Sequence, residues 1–146
     1  MVNIQKRVKL KANRFKEKKR SNVEEEIFNI LKRLLPTAVI YTNYPLHRIV
    51  KCNNKKLSID FYISTFDVLL EYHGEHHYKV VDYGNTEKSA FIAQRALKER
   101  IALDKEKEDT INKNNKNMNV IPYFEWKKLK TENEKEEYLW KKLKRL

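Results

Sequence analysis

"IDFYISTFDVLLEYHGEHHY", residues 59–78, decides how the chain folds. Its first part, read with the preceding Leu57 and Ser58, alternates. Leu57, Ile59, Phe61 and Ile63 take one face, and Ser58, Asp60 and Tyr62 take the other, the pattern of a half-buried strand. The second part, "VLLEYH" (68–73), opens apolar on both faces, as a central strand does. Gly74 ends or bulges it. If Thr65-Phe66 is a two-residue turn, Asp60 stands opposite Glu71. Residues opposed on antiparallel strands share a face, with Cβ atoms about 4.5–5.5 Å apart. His73, two residues beyond Glu71, shares that face as well. A slip of one residue would separate the two acids. The turn has no Asn-Gly or Gly-Gly signal to prevent it.

The flanking segments complete an α-β-β-β-α-β-α order. Ser21 and Glu24 form a capping box before Ile27, Ile30, Leu31, Leu34 and Leu35, and Pro36 stops the helix. Glu24 shares the face of Ile27 and Leu31. "AVIYTNY" (38–44) is β-branched and aromatic and lies between Pro36 and Pro45. "LHRIVKCNNKK" (46–56) reads as a short strand entering a turn at Asn53-Asn54. A long helix is expected over about 86–116, with Ala93, Leu97, Ile101 and Ile111 as its stripe. Asp104 interrupts that stripe and Lys107 lies near the same face. "MNVIPYF" (118–124) reads as a strand and "ENEKEEYLWKKLKRL" (132–146) as an amphipathic helix. Trp126, Tyr138 and Trp140 are expected to pack that helix on the sheet. The class is α/β (α+β): a mixed central sheet flanked by helices, in one domain over 21–146.

Before that domain comes a basic arm, residues 1–20. Lys6, Arg7, Lys9, Lys11, Arg14, Lys16, Lys18, Lys19 and Arg20 face only Glu17. Over all 146 residues the net charge is +12, which favours polyanionic partners and above all phosphate backbones. The plain alternative is a solvated tail and a soluble surface. No apolar run approaches the ~20 residues of a membrane helix, and the N-terminus lacks the apolar core of a signal peptide. Cys52 is the single cysteine, so no internal disulfide can form. An intracellular protein, cytoplasmic or nucleoid- or nuclear-associated, is expected.

Two adjacent carboxylates in apolar surroundings repel. One must take a proton, or a cation must lie between them. Mg2+ suits Asp60 and Glu71, being held by one or two carboxylates together with waters and substrate phosphates; Mn2+ is the close alternative. His73 could then accept a proton from water. Zinc bound by Cys52, His73, His76 and His77 lacks the paired spacing of structural zinc sites. His76 reads as a surface residue. A cap role for Glu24, and salt bridges for Asp60 and Glu71, are the purely structural alternatives.

Ser-x-x-Glu on the first helix, Asp60 in "IDFYI", Glu-x-His in "EYHGEHHY" and Asp-x-x-Lys at 104–107 together resemble the PD-(D/E)XK nuclease superfamily. The likeness is to the small branch of very-short-patch repair, phage and homing-type endonucleases, and it covers about residues 21–125. The resemblance implies a restriction-endonuclease-like αβββαβ core and metal-dependent phosphodiester hydrolysis on DNA. It implies metal ligands at Asp60 and Glu71 and a direct or water-mediated metal contact from Glu24. The family usually has lysine two residues after the glutamate, where this chain has His73. A downstream histidine of related small nucleases matches His77, so His73 or His77 would activate water. Lys107 joins Lys6, Arg7, Lys9, Lys11, Arg14, Lys18, Lys19 and Arg20 as expected nucleic-acid contacts. Cutting both strands often takes two active sites, so a homodimer belongs with this reading. A non-catalytic nucleic-acid-binding module with the same fold, and a nuclease directed at RNA, share these features.

Overall fold

The computed structural model describes residues 21–82 and 84–143. Helix α1 (Asn22–Leu34) is followed by strands β1 (Ile40–Pro45), β2 (Ser58–Ile63) and β3 (Val68–His73). Then come the long helix α2 (Glu87–Lys113), β4 (Met118–Pro122), a helical turn α3 (Tyr123–Trp126) and α4 (Glu132–Leu143). The strands form one four-stranded mixed sheet in the order β1-β2-β3-β4. β1, β2 and β3 run antiparallel, whereas β4 is parallel to β3. Two parallel neighbours need a crossover, and α2 provides it. The fold is therefore α+β, with helices flanking a mixed sheet.

The β2–β3 register is the one expected from the sequence. Phe61 faces Leu70 and Ile63 faces Val68, and continuing that pairing sets Asp60 across from Glu71. The turn itself holds this register without glycine. Phe66 N–H donates to Ile63 O, and Asp67 N–H donates to Ser64 O. Asp67 takes a positive φ of 54°, which aspartate tolerates better than most side chains. Its carboxylate accepts the Tyr62 hydroxyl at 3.1 Å and pairs with Lys116. Thr65 Oγ1 accepts the Val39 N–H at 2.9 Å, fastening the turn to the chain entering β1.

Two apolar clusters sandwich the sheet. Phe61, Ile63, Val68 and Leu70 pack with Ile27, Ile30 and Leu31 of α1 and with Leu139 and Leu143 of α4. Leu69 packs with Ile111 of α2 and with Leu46, Leu57 and Ile59, so Leu57 and Ile59 join the α2-side cluster and do not share the cluster of Phe61 and Ile63 as the alternation predicted. Fully burying each such side chain contributes about 1.5–3 kcal/mol.

Several expectations are corrected. Residues 46–56 form no strand: Leu46–Arg48 is a 3-10 turn, with Leu46 and Val50 buried. The apolar positions Leu46, Ile49 and Val50 recur at intervals of three and four, not two. β4 stops at Pro122, and residues 123–126 coil instead of extending. α2 ends at Lys113, where Asn115 adopts φ 57° and Lys116 N–H returns to Ile111 O. Ile101 is 53% exposed, because the inward stripe of α2 passes through positions 97, 100, 104, 107 and 111 and leaves 101 to one side. Trp140 is 43% exposed, while Trp126 and Tyr138 pack edge-to-face as expected. The basic arm 1–20 lies outside the described residues. Among the described residues no helix is long and apolar enough to cross a membrane.

Candidate active site

Asp60, Glu71 and His73 lie beyond the last β2–β3 ladder pair, Phe61–Leu70, and Glu71 there meets Lys107 of α2. Tyr72 N–H donates to Asp60 Oδ2 at 3.0 Å, so a side chain replaces a ladder carbonyl. The Ser21 cap brings in Glu24. Its Oε2 accepts the Ser21 N–H at 3.4 Å, and Glu24 N–H donates to Ser21 Oγ at 3.2 Å. Glu24 is thus a cap and a wall of the site together. α2 supplies Arg100, Asp104 and Lys107 from one stripe, and the 3-10 turn Glu75–His77 supplies His77. Glu24, Asp60, Glu71, His77, Arg100 and Lys107 line one cleft of about 570 Å³.

The two central acids differ in state. Burial, reinforced by Glu71 and Glu24, pushes the Asp60 carboxyl up from 3.8 to about 7. Glu71 moves the other way. Burial works to raise it, but the His73 ring and the Lys107 ammonium outweigh burial and hold it below the usual glutamate value. Lys107 Nζ donates to Glu71 Oε1 in a buried ion pair. His73 Nε2 lies 3.5 Å from Glu71 Oε2, but neither atom completes a hydrogen bond. Lys107, expected among the nucleic-acid contacts, therefore has its charge engaged inside the site.

His77 and Asp104 form a second unit. His77 Nδ1 and Asp104 Oδ2 are 2.7 Å apart. Burial works to raise the Asp104 carboxyl, and His77 overrides it, leaving Asp104 below its ordinary value. The His73 and His77 rings stack 4.2 Å apart and nearly parallel, at 5°. His76 is exposed, as expected, with its ring 4.5 Å from that of His77.

Two groups of atoms could hold a cation. Asp60 and Glu71 offer carboxylate oxygens, which fit Mg2+ or Mn2+, and Glu71 Oε2 is buried with no hydrogen-bond partner. His73, His77 and Asp104 bring ligand atoms within 4.8 Å of one another. Parallel rings, however, aim their in-plane lone pairs side by side, so those imidazoles would have to turn before both could bind one ion. Cys52 stands apart from this group and donates to Asn54 O.

The sequence pattern marked Asp104 only as a break in the apolar stripe and part of the Asp-x-x-Lys motif, and it missed Arg100. Their common signal is the spacing 100, 104, 107 on an otherwise apolar helix face. The chain matches no family model, no curated protein and no solved structure at a significant level.

Proposed function

We propose that the chain is a divalent-metal-dependent endonuclease of PD-(D/E)XK type, with a restriction-endonuclease-like core, acting on DNA. One observation carries the reading. Among the described residues, three buried side-chain atoms lack a hydrogen-bond partner, namely Glu71 Oε2, His73 Nε2 and Asp104 Oδ1, and all three belong to this one site. Buried polar atoms left unsatisfied destabilise a fold by about 1–3 kcal/mol each, so their clustering marks a place kept for chemistry. The half-neutral Asp60 points the same way.

Asp60 and Glu71 would hold Mg2+ or Mn2+, which polarises a phosphodiester and offsets the charge that develops on it. Asp104 orients His77 through Nδ1, leaving Nε2 as the nitrogen that takes a proton from the attacking water. Lys107 places an ammonium against Glu71, where the family resemblance expected a lysine at position 73. His73 flanks Glu71 and stacks on His77, so it acts as a positioning residue.

The Lys107–Glu71 pair also favours a second reading, a nucleic-acid-binding module whose acids are structural. Plasmid nicking with and without Mg2+, on the parent and on Asp60→Asn, separates the two. Magnesium-dependent nicking that Asp60→Asn abolishes supports the nuclease. Binding without nicking of DNA or RNA supports the module.

A further inference from the structure

Two charged residues of α2, Arg100 and Lys107, line the cleft, and Asp104 lies between them on the same stripe; Asp104 and Lys107 are matched. Asp104 meets His77, and Lys107 meets Glu71. Arg100, one turn before Asp104, lines the same cleft and is half-buried. Among the described residues its guanidinium has no hydrogen bond and no ion pair. Asp104, one turn away, is turned to His77. Arg95 makes the contrast: its side chain is 71% exposed, yet it bonds Glu99 at 3.1 Å. Exposure thus fails to explain why Arg100 is unmatched. Partial burial removes hydration from a guanidinium, and no hydrogen bond or ion pair from the described residues replaces it. Lys56, from the loop before β2, lines the cleft too, and its ammonium likewise has no ionic partner among the described residues.

The cleft's acids would repel a polyanion. Lys107 already neutralises Glu71, so Arg100 and Lys56 are the cleft cations left to meet an incoming strand. We propose that Arg100 is the phosphate-positioning residue of this site. Its planar fork grips two oxygens of one phosphodiester, and Lys56 adds a point-charge contact to the same strand. This rests on the nuclease reading for the identity of the ligand.

The test uses the full chain in an Asp60→Asn background, which should bind without cutting. Fluorescein-labelled DNA, duplex and single-stranded, is titrated across a range of salt. Arg100→Gln should bind about tenfold or more weakly. It should also flatten the salt dependence by about one contact. Arg100→Lys should restore the slope and only part of the affinity. Lys98→Gln removes the same charge from an exposed position outside the cleft and should change binding far less. In the cutting parent, Arg100→Gln should raise KM more than it lowers kcat. Melting should stay near the parent temperature, since Arg100 makes no hydrogen bond or ion pair among the described residues.

Parent-like binding by Arg100→Gln at every salt, an equal loss in Lys98→Gln, or a melting temperature well below the parent's would each overturn the proposal. Magnesium-dependent nicking combined with an unchanged Arg100→Gln slope rejects Arg100 and leaves the nuclease reading standing. A lost phosphate contact without nicking does the reverse. No binding by the parent to DNA or RNA removes both.

Discussion

Lys107 and Glu71, 36 residues apart in the chain, meet as a buried ion pair beneath the cleft. The pairing divides the two acids of the site. Glu71 has a cation against it without any metal. Asp60 has none in direct contact, and stays partly protonated near neutrality. Two carboxylates on the neighbouring strands β2 and β3 therefore do different work in folding.

Glu71→Ala should be strongly destabilising, by about 3–5 kcal/mol, because it leaves the Lys107 ammonium buried and alone. Lys107→Ala should cost a similar amount. Replacing both at once, as Glu71→Leu with Lys107→Met, should recover most of the loss, since apolar residues of similar volume substitute well for a buried pair. Urea denaturation of the four proteins checks the coupling. Additive losses in the double mutant would show that the pair is not a unit.

Asp60 should behave in the opposite sense. Its folded-state pKa of about 7 exceeds the ordinary 3.8, so between those values the folded chain holds the extra proton. Stability then falls as pH rises through that window, by on the order of 4 kcal/mol at about 1.4 kcal/mol per unit. Asp60→Asn keeps an oxygen for the Tyr72 N–H and has no charge to bury. It should melt higher than the parent above pH 7 and equal to it near pH 4. Thermal melts across pH decide this; a parent and variant that differ by the same amount at every pH would refute it.

A cation at Asp60 requires the ionised carboxylate. Magnesium should therefore raise the parent's melting temperature above pH 7, raise it little near pH 4, and leave Asp60→Asn unmoved. A magnesium response that survives in Asp60→Asn would place the ion elsewhere, with His73, His77 and Asp104 as the next candidates.

The fold was largely legible, and so was half of the site. The short turn and the apolar run Val68–Leu70 predicted the hairpin partners, which the structure shows from Phe61–Leu70 to Ile63–Val68. The alternation held only for Phe61 and Ile63, since Leu57 and Ile59 pack in the other cluster. What held the register was less visible. Asp67 does it through a backbone angle and two side-chain contacts, none of which a turn motif encodes. Glu24, Asp60 and Glu71 were found because acids stand out in apolar segments. The lysine at 107 was misjudged for the opposite reason. Cationic residues are common in this chain, so Lys107 was assigned to the nucleic acid although it lies near the apolar stripe of its helix, and the structure buries it.

His77→Ala should lower kcat by about 10²–10⁴-fold if the imidazole is the proton acceptor. Asp104→Asn should preserve the fold but reduce kcat more than it changes KM, by presenting an amide where a carboxylate had fixed the ring tautomer. Single-turnover cleavage at several pH values checks both. Equal activity in Asp104→Asn and the parent would reject the dyad.

Residues 1–20 should contribute affinity without selectivity. Deleting them should weaken DNA binding and lower the salt slope, because nine basic residues leave with only Glu17. Fluorescence anisotropy at several salt concentrations measures it, and an unchanged slope would exclude the arm from phosphate contact.

The end of the β2–β3 hairpin beyond its last ladder pair gives the site its own indicator. The Tyr72 amide hydrogen points at Asp60 Oδ2 rather than at a ladder carbonyl, so its magnetic environment depends on whether that carboxylate is ionised, protonated or shared with a cation. In a proton–nitrogen correlation spectrum the Tyr72 resonance should move with Asp60's titration while its neighbours in the regular ladder stay put. One backbone signal, needing no label on the side chain, would then read the occupancy of the acid pair directly.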